Sequence, residues 1–193
     1  GFSNISFEGS TGRTAFDICA VNTVLNYYSN QLGYEYDDRG KLASSGKINH
    51  LLLNELNDLE FYKLQFPKSL GFEYVKSVLI PLLDQYAIPV EDKLATYSEH
   101  IAIQVGDVLT QVNSKGSLLI TGGGAYNTFL IERLKRQLPD LNITIPDDKT
   151  IQYKEALIFA LLGVLRLRSE INVYASVTGA PLNHSAGYIY EPK

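Results

Sequence analysis

The chain has no methionine, no tryptophan and a single cysteine, Cys19. One cysteine excludes an internal disulfide and points to a reducing, cytoplasmic setting. The missing methionine, with Gly1 in first position, predicts a chain that was trimmed, processed or taken from a longer translation product. Positive charge is also scarce: 17 Lys and Arg stand against 21 Asp and Glu, a formal net charge of −4. That balance argues against nucleic acid, whose binders carry basic stripes. No apolar run is long enough for a spanning helix, so a membrane is not an expected partner. No secretory leader is visible at the start. The three histidines, His50, His100 and His184, lie far apart without metal-ligand spacing, so no metal site is expected from them. No G-x-S-x-G elbow, no G-x-G-x-x-G fingerprint and no P-loop is present.

What is present is an apolar content of 45% and a charged content of 20% in 193 residues, as in a globular protein of one large or two small domains. The organising stretch is Leu118-Leu119-Ile120-Thr121 running into Gly122-Gly123-Gly124-Ala125-Tyr126-Asn127. An amphipathic pattern follows at Phe129, Leu130, Leu134 and Leu138, ending at Pro139. The spacing predicts strand, tight turn, helix. Three missing Cβ atoms let a flat ligand group or a phosphate lie against bare backbone. Asn127 stands at the helix start, as a cap or as a donor to a ligand. A close strand-to-helix turn without a ligand is the plainer alternative.

Along the chain, residues 5–7 and 13–17 are predicted strands joined by the turn formers Glu8-Gly9-Ser10-Thr11-Gly12. Asn22 is the expected N-cap of a helix carrying Val24, Leu25, Tyr28 and Leu32, stopped by Gly33. Residues 34–47 are polar and predict a long surface loop. Helices are expected over 49–59, 72–86 and 92–112. A short strand is expected at 141–145, and a helix over 154–168. That last helix is apolar all round and so predicted to be buried on most sides. Residues 176–181 are loop-like, and 187–190 a final strand. Strands, then helices, then β-α-β-α, give an α/β layout with a mixed sheet.

Asp17 is the carboxylate that stands out. At a strand's end, before a small-residue turn, it is either a general base or a capping residue. Glu155 precedes the apolar helix, as a solvated first-turn residue or a carboxylate on a pocket wall. Lys68 and Ser69 either contact a substrate anion or cap the next helix. Cys19 is a buried thiol rather than a nucleophile, since no histidine neighbours it.

Six segments in register resemble the C-terminal half of the anhydro-N-acetylmuramic acid kinases, members of the sugar kinase, Hsp70 and actin ATPase fold. Gly1-Phe2-Ser3-Asn4-Ile5 is similar to the end of that family's Asn-Ile-Gly-Gly-x-x-Asn-Ile phosphate hairpin. Phe16-Asp17-Ile18-Cys19-Ala20-Val21-Asn22 resembles Phe-Asp-Thr-Gly-Pro-x-Asn, and Pro67-Lys68-Ser69-Leu70-Gly71-Phe72-Glu73 resembles Pro-Lys-Ser-Thr-Gly-Arg-Glu. Gly122-Gly123-Gly124-Ala125-Tyr126-Asn127, Glu155-Ala156-Leu157-Ile158-Phe159-Ala160 and Ser176-Val177-Thr178-Gly179-Ala180 resemble three further segments.

The resemblance implies a ribonuclease H-like mixed sheet with flanking helices, the second lobe of an actin-like ATPase fold. Residues 1–193 would form that C-terminal lobe, with a helical insertion at about 49–113, and the N-terminal lobe would lie outside the chain. It implies ATP and Mg²⁺, with the metal ligands mainly outside the chain, and an anhydro amino sugar as substrate. Water opens the 1,6-anhydro bridge while the freed C6 oxygen takes the γ-phosphoryl group, in cell-wall sugar recycling. Asp17 would be the base. Glu155, Asn22 and Lys68 would hold the sugar, and Gly1, Asn4, Gly122, Gly123, Gly124 and Asn127 would line the nucleotide site.

Cys19, Ala20, Leu70 and Phe72 depart from the pattern, which leaves a non-catalytic binding protein, or a kinase for another amino sugar, as alternatives. Without the strand expected ahead of Gly1, an edge at 5–7 or 118–121 should carry unpaired backbone. The segment alone is then expected to be inactive, and poorly soluble or oligomeric, a homodimer among the forms allowed.

Overall fold

The computed structural model describes residues 1–9, 12–112 and 116–190. Strand β1 (Phe2–Gly9) pairs antiparallel with β2 (Gly12–Ala20). The tip of the predicted hairpin, Ser10 and Thr11, lies outside the described residues. The register slips between Ser3 and Asn4: Ser3 faces Cys19 while Asn4 faces Asp17, so Ile18 has no opposite residue. A bulge of this kind re-aims neighbouring side chains. Here it lets Ile18, Cys19 and Ala20 all be buried while Asp17 stays half-buried.

Helix α1 (Asn22–Gln31) starts one residue earlier than a capping role for Asn22 would require. Val21 occupies the N-cap position and no side chain caps the helix; instead the Gly1 carbonyl accepts from Val21 N–H at 2.8 Å and Thr23 N–H at 3.4 Å. Leu32 is the C-cap of the helix, and Gly33 follows with φ +84°, as its glycine predicts.

The polar segment after it is not an unstructured surface loop. A 3-10 turn (Asp38–Gly40) leads into α2 (Lys41–Ser45). The buried Asp37 carboxylate reaches past that turn to the first amides of α2, accepting from Leu42 N–H at 2.8 Å and Ala43 N–H at 2.9 Å. Two small residues let this segment pack closely on the long helix that begins at Val90: Ala43 is fully buried, and a Cβ on Gly46 would meet the Glu91 carbonyl oxygen at 2.1 Å. Polarity hid this element, because the Asp37 carboxylate serves backbone amides rather than solvent.

Helices α3 (His50–Asn57), with Asn49 as its N-cap, and α4 (Glu60–Lys63) follow. Residues 72–84 are helical throughout: α5 (Phe72–Tyr74), a π-turn (Val75–Leu79) and α6 (Ile80–Asp84). Helix α7 (Val90–Val112) is the central post. Its buried residues Leu94, Tyr97, Ile101 and Val105 share one core with Val24 and Leu25 of α1, Leu52 and Leu56 of α3, and Leu130 and Leu134 further along the chain.

Beyond it, β3 (Gly116–Leu119) pairs parallel with β4 (Leu141–Thr144), and α8 (Thr128–Gln137) connects them. The chain closes with α9 (Asp148–Leu167) and α10 (Ala175–Thr178). Residues 176–181, expected as loop, thus begin inside a short helix. The strand expected at 187–190 is not formed; an isolated bridge joins Val173 and His184 instead.

The α/β class holds. Instead of one mixed sheet, the described strands form two separate pairs, β1–β2 and β3–β4. Asp17 N–H turns away from β1 to the Lys68 carbonyl at 3.0 Å, so Asn4 opposite it also directs its main-chain groups away from β2. Ile120 N–H reaches Thr144 on the β4 side, so Ser117 and Leu119 direct theirs away from β4. These two edges are unpaired among the described residues, and they border one cavity.

Helix α9 departs most from its prediction. It begins at Asp148, capped by Asp147, whose carboxylate accepts from Thr150 N–H at 2.7 Å. Of its residues only Ile151 is buried, whereas Leu157, Phe159 and Leu167 are 69%, 71% and 70% exposed. An all-round apolar pattern predicts burial, but it cannot supply the surface that does the burying. No described helix is long and apolar enough to cross a membrane.

Candidate functional site

A cavity of about 520 Å³ opens between the two strand pairs. One wall is β1 from Phe2 to Ile5, and the other is β3 with the glycine turn. Its floor is apolar: Ile101, Val105 and Leu109 of α7, and Leu130, Ile131 and Leu134 of α8. Gly1, Asn4, Asp17, Asn22, Gly122–Gly124 and Glu155 all line it. Residues far apart in the chain are therefore brought to one space.

The glycine turn is shaped by its backbone. Gly122 sits at φ +84°, which favours glycine, and a short 3-10 helix (Gly123–Tyr126) leads on to Asn127. A Cβ on Gly123 would stand 3.2 Å from the Asn22 amide nitrogen; on Gly124 it would meet only Val21 and Asn22 atoms at 3.8 and 3.9 Å. The turn and the start of α1 thus face each other, with Asn22 between them. Asn22 is a cavity residue, not a cap.

Asn127 performs the capping role. Its Oδ1 accepts from Leu130 N–H at 3.0 Å, and the residue is buried away from the cavity lining. Gly40 makes room for it, since a Cβ there would come within 2.3 Å of Asn127 Oδ1. An Asn N-cap contributes about 1 kcal/mol of helix stability.

Asp17 stands where the main cavity meets a second, shallower depression lined by Pro67, Lys68 and Ser69. Its Oδ2 accepts from Leu70 N–H at 2.9 Å and from the Ser69 hydroxyl at 3.1 Å. Lys68, expected at the sugar, turns its ammonium elsewhere. Nζ donates to the Phe61 carbonyl at 3.0 Å and lies 4.6 Å from the Phe61 ring centroid. Partial burial holds this ammonium below the usual lysine range. Lys68 lines the shallow depression but not the main cavity.

Glu155 is exposed in the cavity wall, two turns inside α9, which removes its first-turn reading. Its neighbour Lys154 donates to Thr121 Oγ1 at 3.1 Å and so ties α9 to the residue just before the glycine turn. Among the described residues no group of three or more His, Cys, Asp and Glu side chains converges.

Behind the site lies a buried polar layer. Tyr97, fully buried on α7, donates its hydroxyl to the Ala20 carbonyl at 3.0 Å and fixes the end of β2. Burial raises the Cys19 thiol to about 12, so it is an inert packing group. His100 packs edge-on against Tyr62, with Nδ1 2.6 Å from Asn57 Oδ1, which also accepts from Gln104 Nε2 at 3.1 Å. Because that oxygen can only accept, Nδ1 is the protonated nitrogen. Burial lowers the imidazole to about 3, keeping it neutral. Sequence reasoning missed the bonds that Tyr97 makes to the Ala20 carbonyl and His100 to Asn57. Their signal was only helical spacing on one face of α7, which any core residue shares.

The sequence model described as "Anhydro-N-acetylmuramic acid kinase" matches residues 1–192. Curated proteins of that name are similar over nearly the whole chain. The Photobacterium profundum protein is 32% identical over 192 residues, 92% of this chain and 50% of its own length. The Pasteurella multocida protein is 34% identical over 98% of this chain and 52% of its own length. The Xylella fastidiosa protein is 35% identical over 93% and 49%. The chain spans about half the length of the curated relatives it matches. With a match running through every segment that lines the cavity, the chain belongs to the anhydro-N-acetylmuramic acid kinase family.

Proposed function

We propose that residues 1–193 form the C-terminal lobe of an ATP-dependent sugar kinase of the cytoplasm, acting on 1,6-anhydro-N-acetylmuramic acid. The observation that carries this reading is a cavity in which a half-buried carboxylate, Asp17, shares the lining with a glycine turn, Asn4 and Asn22. Phosphoryl transfer asks mostly for positioning and charge stabilisation, and bare backbone beside polar side chains suits that task.

In this reading the Gly122–Gly124 turn receives the nucleotide against Asn22, and Gly1 and Asn4 approach its phosphates. Asp17 takes a proton from the water that attacks the anhydro carbon. The 1,6-bridge breaks, its electron pair stays on the C6 oxygen, and that oxygen takes the γ-phosphoryl group as ADP leaves. Glu155 orients the sugar from α9. Lys68 supports the Asp17 loop rather than meeting the sugar. Mg²⁺ would neutralise phosphate charge, held by the phosphates and by residues outside this segment.

The reading extends to the architecture. The two strand pairs would be flanks of one ribonuclease H-like mixed sheet. A further strand from the rest of the longer protein would pair with the free edges of β1 and β3, on the apolar floor of the cavity. Residues 49–113 would be a helical insertion in that lobe, and the exposed face of α9 would be covered by the other half.

A second reading, a non-catalytic protein of the same fold, is favoured by Phe72, which stands where the resemblance has arginine and is 48% exposed. One assay separates the two. The full-length protein, given ATP and the anhydro sugar in ¹⁸O-water, should release a C6-phosphorylated sugar carrying one ¹⁸O. Binding of both ligands without any phosphorylated product would favour the second reading.

A further inference from the structure

The loop from Pro67 to Leu70 holds Asp17 through three hydrogen bonds, and sequence alone left its role open. Asp17 N–H donates to the Lys68 carbonyl at 3.0 Å, Leu70 N–H donates to Oδ2 at 2.9 Å, and Ser69 Oγ donates to the same oxygen at 3.1 Å. Ser69 is not a helix cap: α5 begins at Phe72, with Gly71 in the N-cap position and no side chain capping it. The loop is itself anchored. Leu70 is buried in the core, and Lys68 Nζ is fixed by the Phe61 carbonyl and ring. Both donors fall on one carboxylate oxygen, and among the described residues none meets Oδ1.

We propose that Ser69 is a positioning residue for Asp17: with Leu70 N–H it occupies Oδ2, fixes the rotation of the carboxylate and leaves Oδ1 to accept the proton. This rests on reading Asp17 as the base. A carboxylate held by two donors on one oxygen has a defined plane; held by one donor it can swing. Misplacement of a reacting group by about 1 Å can cost roughly 100-fold in rate. Leu70 N–H survives any substitution at Ser69, so the loss on removing the hydroxyl is smaller than the loss on removing the carboxylate.

The test is a double-mutant cycle in the full-length protein with ATP and the anhydro sugar. Ser69→Ala should lower kcat about 10-fold, short of that ceiling, with the sugar KM and thermal midpoint unchanged. Ser69→Thr, which keeps the hydroxyl, should restore turnover. In an Asp17→Asn background, Ser69→Ala should cost nothing further, since the group it positions is gone. Two results overturn the proposal alone: wild-type kcat in Ser69→Ala while Asp17→Asn is crippled, or a full additional loss in the double variant. Wild-type turnover in Asp17→Asn overturns the base assignment and the proposal with it.

Discussion

Gly123 and Asn22 face each other so closely that a Cβ on the glycine would stand 3.2 Å from the asparagine's amide nitrogen. The two residues come from segments far apart in the chain, and both line the main cavity. Gly123→Val should push on Asn22 and fill the space assigned to the nucleotide. ATP binding, measured by calorimetry on the full-length protein, should be lost while the circular dichroism spectrum is retained. Gly124→Ala, whose Cβ meets only ordinary contacts, should bind ATP far better than Gly123→Val. Equal affinity in Gly123→Val and wild type would remove the turn from the nucleotide site.

Asp17→Asn keeps the shape of the side chain and removes its basicity. General-base groups contribute about 10²–10⁴-fold, so turnover should fall by that order, with sugar affinity nearly intact. Stopped-flow turnover paired with equilibrium sugar binding checks both halves. Turnover close to wild type would reassign Asp17 to its contacts with the loop at Ser69 and Leu70.

His100 makes stability depend on pH in a predictable direction. Burial lowers its folded-state value to about 3 from an ordinary 6.5. Below about 6.5 the unfolded chain therefore binds a proton that the folded chain resists. Stability should fall as pH drops from there toward 3, where protonation of the folded form ends the loss. His100→Gln should be less stable at neutral pH but should show a shallower decline across this window. Denaturant midpoints taken at several pH values test it; parallel curves for the two proteins would show that His100 is not the titrating group.

Much of the site was legible in the sequence because its signals are local. Glycines before Asn127, a carboxylate at a strand end and turn formers at a hairpin each act through their own backbone. What was not legible depends on distant partners. The Asn22 cap was a sound local expectation, defeated by the Gly1 carbonyl arriving from the chain's start. The segment around Asp37 looked like loop because its carboxylate serves backbone amides instead of water. Lys68 looked like an anion contact, but Phe61 and Tyr62 lie beside it and take its ammonium. The bulge at Ser3 and Asn4 leaves no mark in the strand's composition, although it helps aim Asp17.

The apolar face of α9 and the free edges of β1 and β3 make a prediction about the segment by itself. Exposed strand edges and apolar faces pair with other chains unless they are covered. Residues 1–193 alone should aggregate or sediment as oligomers, and Leu157→Lys with Phe159→Glu should reduce that tendency. A wild-type segment that sediments as a stable monomer at high concentration would show that these surfaces need no cover.

The most direct measurement compares phosphate transfer from ATP to 1,6-anhydro-N-acetylmuramic acid by three samples: the full-length protein, residues 1–193 alone, and residues 1–193 mixed with the remaining half expressed separately. If the chain is the second lobe of a two-lobed kinase, the full-length protein should form the C6 phosphate, the segment alone should form none, and mixing should restore part of the activity. Turnover by the segment alone at the full-length rate would contradict the two-lobe account. Absence of any transfer by a folded, ATP-binding full-length protein would contradict its assignment as a kinase for this sugar.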